Sequence, residues 1–190
     1  MLMADTFAIV FSVLGAILGH VALWLLLRAL FPTTTQAAGS VIERGILLPL
    51  VVGVPLAFAA ILLTVFIGSF LGSVGQALGV VIACSFVLYA HVGLAGVTAV
   101  LGARLGDGTE TPWRAIGRGG AALSFAWLLP LLGWFALLPL SLLVGAGAAT
   151  LGIVRRLTVP TPRAATLPPA SVPSPWASAP PTARAASLPR

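Results

Sequence analysis

The sequence predicts an all-α membrane protein. It has four transmembrane helices, a re-entrant or interfacial piece before the last of them, and an extended, disordered proline-rich C-terminal tail. Three observations predict this. Hydrophobic residues make up 59% of the 190 and charged residues only 7%, where a soluble domain carries roughly a quarter charged. The apolar residues fall into runs that, at ~1.5 Å per residue, can cross a ~30 Å hydrocarbon core. From Pro160 onward the chain holds nine of its fifteen prolines and no glycine, a composition that packs no core.

The first span is predicted at about 6–27, closed by Arg28 and then Phe31-Pro32. A cleaved signal is not expected, because Met1 to Asp5 has no positive residue and the apolar run outlasts a signal h-region. Thr33 to Gln36, Ser40, Glu43 and Arg44 read as the first loop. The second span follows at 45–67. Pro49 sits in its first turn, where a missing N–H costs little, and Pro55 is deep enough to kink it. An uncharged turn, Gly68 to Ser73, leads to the third span at 75–103, ended by Arg104. The stretch from Arg104 to Arg118 reads as a polar loop with Asp107, Glu110 and Arg114. Gly119 to Val154 would exceed ~50 Å as one helix, too long for one crossing. Pro130 and Gly133 divide it into a re-entrant or interfacial piece up to about Leu129 and a last span at 132–154, stopped by Arg155-Arg156. Residues 1–158 thus form the bundle and 159–190 the tail. Trp24, Trp113, Trp127 and Trp134 are expected on one membrane face as an aromatic belt.

The formal charge is +6, and every basic residue is Arg. The arginines are spread over loops and tail with no folded basic face, which argues against nucleic acid and leaves lipid and other integral membrane proteins as partners. Four crossings would put both termini on one side. Arg28, Arg44, Arg104, Arg114 and Arg118 in the loops then outweigh Arg155, Arg156 and Arg163, so the loops are expected in the cytoplasm.

The lone Cys84 excludes an intramolecular disulfide and a cysteine metal cluster. No Walker, HExxH or GxSxG motif occurs, so no catalytic residue is assigned and an enzyme is not expected. No carboxylate lies within a span, which disfavours a transporter or channel. Two ionisable residues do: His20 and His91. Their spans run in the same direction and bring the two to similar depth. A neutral imidazole there could ligate haem iron or a bacteriochlorophyll magnesium, or the pair could relay protons. The alternative is that each hydrogen-bonds a helix carbonyl or a serine. Ser85 and Tyr89 are the expected neighbours of His91. GxxxG spacings at Gly15/Gly19, Gly68/Gly72, Gly75/Gly79 and Gly102/Gly106 permit close helix approach. Gly15 and Gly19, just before His20, are the candidate partner-binding pair, with Trp176 as a candidate anchor in the tail.

Five short segments carry a family resemblance: Leu25-Leu-Leu-Arg28-Ala-Leu-Phe31-Pro32, Leu62-Leu-Thr-Val65-Phe-Ile-Gly68, Leu101-Gly-Ala-Arg104-Leu-Gly106, Leu128-Leu-Pro130-Leu-Leu-Gly133-Trp134 and Leu143-Val-Gly145-Ala-Gly147-Ala. Over about residues 20–154 the chain resembles the bacterial integral membrane domain often fused behind bactofilin-like polymer-forming domains. It departs from that pattern at Thr33 to Gln36, where an Arg-rich stretch is usual, and at Gly68-Ser69-Phe70, where Gly-Ile-Pro is usual. The resemblance implies embedding in a bacterial inner membrane and a scaffolding role, with no catalytic residues. The expected function is a non-enzymatic structural or accessory subunit of a larger membrane complex. The alternatives are a cofactor-bearing subunit of an electron-transfer or photosynthetic assembly, through His20 or His91, and a small transporter or channel.

Overall fold

The computed structural model describes residues 2–107 and 111–158. The expected tail from Val159, with Trp176, and the loop residue Glu110 lie outside the described residues. Within them every regular element is helical. Helix α1 spans Leu2–Leu30, with Asp5 in its first turn and Arg28 in its last, each opposite in sign to the helix dipole at that end. Helix α2, Pro32–Arg44, opens on Pro32, whose fixed φ and missing N–H suit a first turn. It stops at Gly45, whose φ of +149° only glycine adopts freely. Helix α3 is Leu47–Phe70 and helix α4 is Gly72–Arg104. Gly72, at φ +59°, turns the chain between them. Helix α5 is Pro112–Trp127, again opening on proline. A π-helical turn at Gly133–Leu137 then leads into α6, Leu138–Thr158.

Four stretches are long and apolar enough to cross a membrane: Met3–Leu30, Leu47–Phe70, Gly72–Arg104 and Gly133–Thr158. Large apolar side chains are exposed along them, among them Phe7 and Phe11 on α1 and Phe58, Phe66 and Phe70 on α3. A soluble monomer rarely carries so much contiguous apolar surface. The fold is an all-α membrane bundle.

Two expected loops are helical instead. Residues 33–44 form most of α2, burying Thr35, Ala38, Gly39 and Val41 against the bundle. Those positions recur at three- and four-residue spacing, which makes one helix face, and the polar side chains occupy the other. The polar stretch from Arg104 to Arg118 becomes α5 from Pro112 on, burying Ala115 and Ile116. The turn at Gly68 to Ser73 shrinks to the single residue Leu71 between α3 and α4.

Several helices approach one another backbone to backbone at glycines. A methyl group at Gly53 would strike the Leu143 carbonyl, and one at Gly147 the Pro49 carbonyl, so α3 and α6 lie antiparallel in near-contact. Gly93 meets Gly145 where α4 crosses α6. Gly119 meets Thr98 and Gly102 meets Ala115 along an antiparallel α4–α5 pair. Within lipid, burial of apolar surface gives no net drive to pair helices, so close van der Waals packing of small residues supplies it.

These contacts also place the charges. Arg28 at the end of α1 donates to Thr35 of α2. Gly39 of α2 packs on Gly96 and Val100 of α4, and α5 begins beside Gly102. Gly152 of α6 stands against Ala37 and Ala38 of α2. Arg28, Arg44, Arg104, Arg114, Arg118, Arg155 and Arg156 therefore gather at one end of the bundle. This overturns the expectation that Arg155 and Arg156 lie opposite the loop arginines. The physical reason is α5: its 16 residues reach only ~24 Å. The chain reverses after Trp127, and α6 runs back to the end where α5 began. The start of α1 and the end of α6 are thus at opposite ends. Asp5 is the charged residue at the far end among those described.

Candidate functional site

His20 on α1 and His91 on α4 come together where the two helices pack, their ring centroids 6.2 Å apart and their planes inclined by 27°. His91 is buried and His20 is half-buried. Trp24 lies one helical turn beyond His20, 5.9 Å from its ring and 6.3 Å from that of His91. Trp127, the last residue of α5, lies 5.3 Å from His20, 6.4 Å from His91 and 5.6 Å from Trp24. Gly120 makes this possible, because a Cβ there would press on the Trp24 ring. Ser124 and Trp127 follow Gly120 at offsets of four and seven, so all three share the face of α5 turned to the rings.

Each histidine is oriented from its own helix. Nδ1 of His20 lies 2.8 Å from the Ala16 carbonyl oxygen, and Nδ1 of His91 lies 2.8 Å from that of Val87. A carbonyl only accepts, so in both neutral rings Nδ1 carries the proton and Nε2 the lone pair. This is the arrangement in which a backbone acceptor holds an imidazole ready to ligate or accept through Nε2. The expected neighbours of His91 are engaged elsewhere. Tyr89 Oη pairs with Thr150 Oγ1 of α6 at 2.9 Å, and the Ser85 hydroxyl donates to the Val81 carbonyl. Three buried polar atoms on the same elements have no hydrogen-bond partner among the described residues: Trp24 Nε1, Trp127 Nε1 and Ser124 Oγ.

The pair does not suit a tetrapyrrole held between two axial imidazoles. Each indole is nearly equidistant from both histidine rings, so both indoles stand near the plane bisecting the pair, where the macrocycle would lie. The outer side of His20 is different. There a groove of about 260 Å³ is lined by Ala16, Gly19, His20 and Leu23. No three His, Cys, Asp or Glu side chains converge on a metal-sized position among the described residues.

Gly19 lines this groove and Gly15 lies one helical turn before it, and a Cβ at either would meet nothing within 4 Å. They do not pack the bundle. Gly75 and Gly79 do, against Ile67 and Thr64, as does Gly102. The expected tryptophan belt divides. Trp24 is fully buried and Trp127 nearly so, while Trp113 and Trp134 are exposed. The turn after α5 lifts Trp127 level with Trp24, so both join the core with Leu27, Leu94 and Ile116. Trp24, Ser124 and Trp127 are site members that sequence pattern alone does not group with the histidines. The four-residue step from His20 to Trp24 is the available signal for one of them. No family model matches the chain, and neither the curated proteins nor the solved structures compared with it yield a match.

Proposed function

We propose that the protein is a non-enzymatic structural or accessory subunit of a larger complex in a bacterial inner membrane. Its α1 serves as the docking helix. One observation carries this reading: Gly15 and Gly19 lie in the middle of a membrane helix, yet a Cβ at either would meet no other helix among the described residues. Glycines of the same kind at positions 53, 93, 102, 119, 145 and 147 each abut the backbone of another helix. A small-residue seam suits close approach by a second helix in lipid. The resemblance to the membrane domain associated with polymer-forming modules agrees with a scaffolding role.

Blue-native electrophoresis of gently solubilised native membranes tests the proposal. The expected result is migration in an assembly that Gly15→Leu and Gly19→Leu dissolve, with the thermal melt of the isolated chain unchanged. Migration of the wild type as a lone 19.3 kDa monomer overturns it.

A second reading has its own support, the open groove beside His20 with the Nε2 lone pair on that ring. A planar cofactor ligated from one side only would lie there. An absorption spectrum of the same sample separates the two, since a Soret or bacteriochlorin band lost in His20→Leu supports the cofactor.

A further inference from the structure

The arginine-bearing end of the bundle contains a cleft of about 300 Å³. Arg28 of α1 and Thr35, Gln36 and Glu43 of α2 form its polar wall, and Ala99 of α4 and Ala115 of α5 belong to its apolar part. Arg28 Nη1 donates to Thr35 Oγ1 at 3.3 Å, while the Thr35 hydroxyl donates to the carbonyls of Phe31 and Pro32. That tether fixes the guanidinium on the wall and leaves most of its five N–H groups free to donate. Glu43 is exposed and has no ion-pair partner among the described residues. One cleft thus carries a fixed cation and an unpaired anion. It lies where α1 and α4 end and α5 begins, at the arginine-bearing end of the apolar spans.

We propose that this cleft binds the headgroup of a single aminophospholipid, with its phosphate on Arg28 and its primary ammonium on Glu43. Charge complementarity selects this occupant. A phosphatidylglycerol headgroup would satisfy Arg28 with the same phosphate but bring only a neutral diol, and no cation, to Glu43. A choline headgroup carries the positive charge but has no N–H to donate to the carboxylate. The apolar side, floored by Ala99 and Ala115, receives the glycerol and the first acyl carbons. This site is separate from the α1 seam, so its test does not depend on a partner protein.

Native mass spectrometry of the full chain in detergent, titrated with phosphatidylethanolamine, phosphatidylcholine and phosphatidylglycerol of identical acyl chains, tests the proposal. The expected result is one retained phosphatidylethanolamine, favoured over each of the others by about tenfold. Glu43→Gln should erase its advantage over phosphatidylcholine. Ser69→Ala, on α3 and outside the cleft lining, leaves both charges in place and should keep the order of preference. Stronger retention of phosphatidylglycerol overturns the zwitterionic site, as does an unchanged ethanolamine preference in Glu43→Gln. Displacement by an equimolar amount of the water-soluble glycerophosphoethanolamine overturns the lipid as occupant.

Discussion

Nδ1 of His20 is bound to the carbonyl of Ala16 just as Nδ1 of His91 is bound to that of Val87, so two imidazoles 6.2 Å apart hold the same tautomer. The first prediction concerns that tautomer. ¹⁵N spectra of histidine-labelled protein in bilayers should show both neutral rings protonated at Nδ1, with Nε2 as the unprotonated nitrogen. A protonated Nε2 on either neutral ring contradicts an orientation set by the Ala16 and Val87 carbonyls.

In the same ring cluster, the buried N–H groups of Trp24 and Trp127 have no partner among the described residues. An orphaned buried donor costs roughly 1–3 kcal/mol, and a water needs only two to four polar partners to be held in such a place. One or two waters are therefore expected between indoles and imidazoles. In magnetisation-exchange spectra the Nε1 protons of Trp24 and Trp127 should correlate with bound water. A direct indole-to-imidazole N–H···N coupling instead would refute the bridge.

Glycine positions should separate sharply by what they face. Gly93→Ala drives a methyl into Gly145 of α6, and overpacking of this kind costs about 1–3 kcal/mol. Gly15→Ala adds a methyl to open space and relieves glycine's helix penalty of roughly 0.5–1 kcal/mol. Thermal or denaturant melts in detergent should show the first destabilised and the second unchanged or slightly stabilised. Equal losses at both positions would mean that α1 is covered within its own chain.

Much of the fold is legible in the residues, for identifiable reasons. The long apolar helices follow from length and composition alone, because a bilayer demands both. The approach of His20 to His91 follows from two spans that run in the same direction. Helix α2 is concealed by composition: Thr33 to Gln36 reads as a loop until Thr35, Ala38 and Gly39 are seen as one helix face. Trp24 departs from its expected place because an indole near a span's end usually marks the interface, whereas here Gly120 of α5 covers it. The openness of Gly15 and Gly19 cannot be read from spacing, since Gly75 and Gly79 have the same spacing and are packed.

Tyr89 and Thr150 join α4 to α6 through a side-chain hydrogen bond of 2.9 Å. Such interhelical bonds in lipid average about 0.6 kcal/mol, because each partner finds another acceptor once separated. Thr150 has one already in the Ala146 carbonyl. Tyr89→Phe should therefore cost well under 1 kcal/mol. A double-mutant cycle with Thr150→Val should return a coupling of the same small size. A coupling of several kcal/mol would place this pair, rather than the glycine contacts, at the centre of the α4–α6 interface.

The gathering of seven arginines at one end removes the opposition to the loop arginines that spacing alone assigns to Arg155 and Arg156. With Arg155 and Arg156 beside α2, no arginine among the described residues opposes those of the loops, and Asp5 stands at the other end. The positive-inside rule then predicts the arginine end in the cytoplasm and the start of α1 outside. Cys84 is the only cysteine, so a Cys84→Ala background leaves the chain free for single labels. Asp5→Cys in that background should react with a membrane-impermeant maleimide in intact cells. Glu43→Cys should react only after the membrane is opened. Labelling in the reverse order would mean that charge does not set the topology of this bundle. Labelling of both in intact cells would mean that α1 does not cross.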